Sequence, residues 1–128
     1  MIKNKTYLLQ GPNLKDSEKK YVPYIIRGII DGDGCIFKTS YGSPSFYIIT
    51  KSKDFADWII DSLENSMYMK DIRVTTDRNG LYRIETANQE NILKLLVLSY
   101  NKPFGMNRKY KLLQKTFRDY NNDLLLNF

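Results

Sequence analysis

Apolar residues first become periodic along the chain at Val22, Ile25, Ile26, Ile29 and Ile30. Their spacings of three and four place them on one stripe, which predicts an amphipathic helix with Pro23 in its first turn. The helix should stop at Asp31–Gly34, where Gly32 and Gly34 relax the backbone. Residues 35–41 and 45–50 read as two strands joined by a turn at Gly42-Ser43-Pro44. Ser52 is placed to cap a second helix with Phe55, Trp58, Ile59 and Leu63 on its buried side. Period-two alternation returns in Ile72–Thr75 and Leu81–Glu85, across Asp77-Arg78-Asn79-Gly80, and Asn-Gly is a strong hairpin signal. A third helix is expected from about Asn88 to Ser99. A fourth follows Pro103, with Met106, Tyr110, Leu113 and Phe117 on one face and Arg108, Lys109, Lys111, Lys115 and Arg118 around the rest.

The element order α-ββ-α-ββ-α-α predicts an α+β fold in which two hairpins form one four-stranded antiparallel sheet backed by the helices. Alternation turns Phe46, Ile48, Ile72, Val74, Tyr82 and Ile84 toward the core. It leaves Ser45, Tyr47, Arg73, Thr75 and Arg83 on an open face, and Thr39 and Tyr41 on the first strand are grouped with them. Such a face suits the grooves of duplex DNA, where base edges need donors, acceptors and small apolar contacts. Pattern alone is equally consistent with a merely solvated sheet. Residues 1–20, with a turn at Gln10–Asn13 and a charge cluster at Asp16–Lys20, read as a lead-in; residues 21–120 read as the domain and 121–128 as a tail.

A length of 128 residues suits one domain. The excess of 20 Lys and Arg over 14 Asp and Glu, a net charge of +6, is compatible with a polyanionic partner. The chain has no histidine and a single cysteine, Cys35. That excludes an internal disulfide, cysteine-based metal clusters, the common zinc sites and histidine-dependent triads. Chemistry would have to rest on carboxylates, lysines and a hard metal. The apolar run Val22–Ile30 is broken by Pro23, Arg27 and Gly28, and no secretory segment follows Met1. A soluble intracellular protein with no membrane association is expected, in cytoplasm or nucleoid, or in an organelle matrix if organelle-encoded.

Gly28 and Gly32 are four apart and leave one side of the first helix without side chains. Two such helices could approach closely in a two-fold pair, with Tyr24, Gly28, Asp31 and Gly32 at the contact. Asp31 and Asp33 of both copies would then crowd one axis, a setting that favours hard cations between them. The string is also consistent with an ordinary helix-ending turn. It is not an EF-hand, because twelve residues counted from Asp31 end on Gly42 rather than on a glutamate.

Ile26-Arg27-Gly28-Ile29-Ile30-Asp31-Gly32-Asp33-Gly34 resembles the LAGLIDADG signature of homing endonucleases, with Ile for Leu and Gly for Ala. The wider string Tyr24–Ile36 is similar to a subgroup with Arg before the first glycine. Phe46–Ser52, the Trp58 helix, a hairpin, a helix and Asn107-Arg108-Lys109-Tyr110 follow the family's order to about residue 120. The resemblance implies a homodimer that lays its sheets in the DNA major groove and cuts a near-palindromic double-stranded site, with no organic cofactor. It implies that Asp33, helped by the backbone carbonyl of Gly32, holds Mg²⁺ or another divalent cation such as Mn²⁺, and that Asp31 is structural. Thr50, Lys51, Arg108 and Lys109 are the candidates for the basic and polar groups around the metal, and Lys111 and Lys115 for phosphate contacts. The alternatives are a DNA- or RNA-binding relative without cleavage, such as an intron maturase or regulator, and one half of a split enzyme.

Overall fold

The computed structural model describes residues 10–100 and 107–126, with backbone alone for Asn107 and for residues 123–126. Met106 of the expected fourth-helix stripe, residues 1–9 of the lead-in and residues 127–128 of the tail lie outside the described residues. The elements are α1 (Val22–Asp33), β1 (Gly34–Lys38), β2 (Pro44–Thr50), α2 (Lys53–Asp61), β3 (Arg73–Thr76), β4 (Tyr82–Thr86), α3 (Gln89–Leu98) and α4 (Asn107–Leu126). A 3-10 helix at Asp16–Tyr21 leads into α1, and a wider turn at Ser62–Ser66 extends α2. The order is the one the hydrophobic pattern predicts. Among the described residues no helix is long and apolar enough to cross a membrane.

Local chemistry explains the boundaries. Ser52 caps α2 by accepting from the Phe55 amide at 3.1 Å, and Asn88 caps α3 by accepting from Glu90 and Asn91. The second hairpin closes through Asp77, whose carboxylate accepts from the amides of Asn79 and Leu81 at 2.8 and 3.0 Å. Gly80 takes the positive φ (79°) that the turn requires. The first hairpin differs from its prediction. Thr39 and Ser43 close it by mutual backbone and hydroxyl bonds, and Gly42 takes φ 86°. The turn is therefore centred before Ser43, Pro44 begins β2, and Thr39 and Tyr41 stand in the loop rather than on a strand.

The four strands form one antiparallel sheet in the order β1-β2-β4-β3. Gly34 pairs with Ile48, Ile48 with Ile84 and Val74 with Ile84, so one row crosses all four strands. On the helix-covered face Ile36, Phe46, Ile48 and Ile84 pack into a core with Ile26 and Ile30 of α1, Ile59 of α2, Ile92 and Leu95 of α3 and Leu113 of α4. Val74 has the parity of this core but is 42% exposed, on the strand at the sheet edge. Asn91, fully within the fold, ties α3 to the strands by donating to Thr86 Oγ1 at 2.9 Å and accepting from the Lys70 amide at 3.0 Å.

Candidate active site and nucleic-acid interface

The C-terminal end of α1 concentrates the chemistry. A helix end carries partial negative charge and unpaired carbonyls, so two aspartates there need cationic relief. Lys109 supplies it from α4. Its Nζ donates to the carbonyls of Ile30 at 2.7 Å, Asp31 at 2.9 Å and Gly34 at 2.7 Å. These bonds use all three ammonium donors, and the Gly32 carbonyl is not among the acceptors. Gly34 follows as a close-approach position: a Cβ there would lie 2.8 Å from Ile30 Cα and 3.1 Å from the Tyr47 carbonyl oxygen. The turn that carries Asp33 is thus clamped by packing on one side and by a lysine on the other.

The two acids face different surroundings. Asp31 is buried within its own chain, where Tyr100 donates to Oδ1 at 2.9 Å and Arg27 Nε lies 3.7 Å from Oδ2. Arg27 is itself buried, with its guanidinium 4.6 Å from the Tyr100 ring centroid and Nη1 donating to the Ser99 carbonyl at 3.4 Å. Burial first, then the bond to Asp31, pushes the Tyr100 phenol well above its ordinary range. Asp31 therefore turns away from the strip expected to pair two helices, because the fold uses it to neutralise a buried arginine. Asp33 is exposed. Gly28 and Gly32 are exposed with it, and a Cβ at either would meet none of the described residues within 4 Å. Tyr24, on the same helix, is half-buried.

The residues expected to assist Asp33 differ in burial and bonding. Thr50 is buried with core parity, and its Oγ1 accepts from the Ser52 amide at 3.1 Å, so it stabilises the β2–α2 corner. Lys51 next to it is exposed, as is Arg108 at the start of α4. Lys111 and Lys115 are exposed on α4, and Lys115 borders a shallow hollow with Lys38, Thr116 and Tyr120. Lys109 acts on the helix end rather than projecting toward solvent, for the reason given above.

The uncovered sheet face carries Tyr47, Arg73, Thr75 and Arg83, as alternation predicts. Ser45 shares that face but is 2% exposed and donates to the Thr86 carbonyl at 2.7 Å, so its hydroxyl is taken up by the sheet. Tyr41 is 88% exposed at the hairpin tip, and Thr39 is half-buried in the loop bond to Ser43. The register adds residues that the sequence reading passed over. Cys35, Tyr47, Glu85 and Arg73 form one row, and Ile49, Arg83 and Thr75 the next. The same period-two parity would have found Cys35, Ile49 and Glu85. Arg83 stacks 4.0 Å over the Tyr47 ring and pairs with Glu85 at 3.2 Å. A side-chain hydrogen bond and electrostatic interaction with Cys35, then burial, raise the Tyr47 phenol above its ordinary value against the pull of Arg83.

No protein-family model matches the chain, and no curated protein matches it. Among solved structures, it is similar to the crystal structure of a homing endonuclease, I-TnaI, at 17% identity and a TM-score of 0.54, over 77% of this chain and 70% of that one. The four-stranded antiparallel sheet with its four helices has the fold of a homing endonuclease.

Proposed function

We propose that the chain is a site-specific double-strand DNA endonuclease that acts as a homodimer with a divalent cation. The observation that supports this most is the exposed Asp33 carboxylate, at the end of a helix whose outer strip is bare glycine, beside an open sheet face that carries arginines. Two copies meeting along Gly28 and Gly32 bring two Asp33 carboxylates to one axis. With the Gly32 carbonyl these are hard oxygen donors of the type Mg²⁺ or Mn²⁺ takes. Mg²⁺ is commonly held by one or two carboxylates with water and substrate phosphate filling the rest of its sphere, which matches this number of donors. A cation bound there supplies an activated water and charge stabilisation at the scissile phosphate. The chain's own residues do the rest. Lys109 and Gly34 hold the turn, the sheet face meets the groove, and Lys111 and Lys115 meet phosphates. The likeness of Ile26–Gly34 to the LAGLIDADG signature supports the same reading.

One observation favours a second reading, a DNA- or RNA-binding relative that does not cut, such as an intron maturase or regulator. Thr50 and Lys109, two of the four residues expected to assist at the phosphate, make their bonds inside the chain. Incubating the chain with a randomised duplex library and Mg²⁺, then sequencing cleaved ends, separates the two. Cleaved sites with two-fold symmetry support the endonuclease. Selective binding without cleavage in Mg²⁺ or Mn²⁺ supports the binder.

A further inference from the structure

Glu85 is the one acidic residue in the four strands, and it sits on the face where cations would be useful against a polyanion. Its Oε2 accepts from Arg83 Nε at 3.2 Å and lies 3.2 Å from Nη2, while the guanidinium carbon sits over the Tyr47 ring, 4.0 Å from its centroid. Arg83 is thus held along one edge and across one face. An arginine has two forked edges, Nε with Nη2 and Nη1 with Nη2. Glu85 takes the first, which leaves the second for a bidentate contact of the kind guanine O6 and N7 accept. The ion pair also cancels most of the net charge that a phosphate feels from a distance, yet leaves the remaining N–H donors intact at contact range. A carboxylate in this position therefore weakens sequence-blind attraction more than it weakens base contact.

We propose that Glu85 is a positioning residue that determines specificity: it presents the outer edge of Arg83 to a guanine and suppresses Arg83's attraction to phosphates. This rests on the reading that the open sheet face binds duplex DNA. Two further details fit. The Glu85 side chain is only 19% exposed against 40% for Arg83, so the acid lies beneath the base it orients. Arg73 is the register partner of Glu85 on β3 and borders the same hollow of about 370 Å³, which places a second cation beside the carboxylate.

The test measures binding of the full chain, wild type, Glu85→Gln and Arg83→Lys, to its selected duplex, to single-base variants of that duplex and to random duplex, each at several salt concentrations. Glu85→Gln should bind random duplex several-fold more tightly, and its salt slope should steepen by about one. Its preference for guanine at one position of each half-site should fall by about tenfold. Arg83→Lys keeps a charge but has no fork, and should lose the same preference. Glu85→Gln that keeps the wild-type base preference, or weakens all duplexes alike with an unchanged salt slope, overturns the assignment while the DNA reading stands. A wild-type chain that binds no duplex selectively overturns the DNA reading itself, before any variant is compared.

Discussion

Asp31 and Asp33 are the same residue type two positions apart on one helix, and the fold treats them in opposite ways. The inner side of α1 joins Asp31 to Arg27 and Tyr100 and packs Ile26 and Ile30 into the core. The outer side presents Gly28, Gly32 and Asp33, with none of the described residues against the glycines. Two residues along a helix amount to about 200° of rotation, so neighbouring acids are sent to opposite surroundings. What this teaches is that an acidic pair in a sequence motif need not be a functional pair. One acid neutralises a buried cation and fixes the helix; the other stays exposed at the helix end.

The sharpest way to break this contrast is to exchange the fates of the two acids. Asp33→Asn should abolish DNA cleavage and change unfolding free energy by less than about 0.5 kcal/mol, since an exposed side chain carries little stability. Undiminished cleavage in a plasmid assay would remove Asp33 from the site. Asp31→Ala should do the reverse in denaturant titration and cost about 3–5 kcal/mol, because it breaks the ion pair of Asp31 with the buried Arg27. A loss below about 1 kcal/mol would mean the inner side is not the structural one.

Lys109→Met tests whether the clamp belongs to the inner or the outer side. It removes a cation shared by three carbonyls and should cost about 2 kcal/mol by thermal or chemical unfolding. An unchanged stability with lost cleavage would instead return Lys109 to the phosphate.

Tyr100→Phe should cost about 1.5 kcal/mol through the lost bond to Asp31. Its pH signature sharpens the point. The folded pKa of Tyr100 is raised, so the stability it contributes is complete below the ordinary tyrosine range near 10 and is lost as pH rises beyond it. The wild type should therefore lose stability above about pH 10 more steeply than Tyr100→Phe, measured by unfolding across pH 8–11. Parallel slopes would show that Tyr100 does not carry that linkage.

The outer glycine strip offers a change that should leave the folded chain no less stable. At Gly28 a Cβ would meet none of the described residues, and Gly28→Leu improves helix propensity by about 0.8 kcal/mol. Its expected consequence is confined to assembly, with monomer rather than dimer in sedimentation. A dimer that survives places the seam elsewhere.

Periodicity and turn chemistry are local properties, and they made most of the fold legible. The α1 stripe, the Ser52 cap and the Asp77–Gly80 turn each rest on residues within a few positions of one another, so short-range sterics and hydrogen bonding decide them. The first hairpin was misjudged because Gly42-Ser43-Pro44 has turn composition too, and only the Thr39–Ser43 bonds select between two overlapping turns. At the site, the Gly28–Gly32 strip follows from helical spacing, whereas the contrast between Asp31 and Asp33 was implied only by the resemblance of Ile26–Gly34 to the LAGLIDADG signature. The fates of Ser45, Thr50 and Lys109 follow from neither, because each depends on a partner that spacing cannot locate.

The sequence by itself determined the elements, their order, the parity of each strand and the concentration of acids at the end of α1. Those depend on periods of 3.6 and 2 residues, which are written in the chain. Only the tertiary structure decided that β2 lies against β4, that Glu85 sits between Arg83 and Arg73, and that Tyr100 and Lys109 reach back 69 and up to 79 residues to the same helix end. Such contacts form where distant segments are brought together by burial of the common core. Their geometry is a property of the packed layers, with no counterpart in any local stretch of chain.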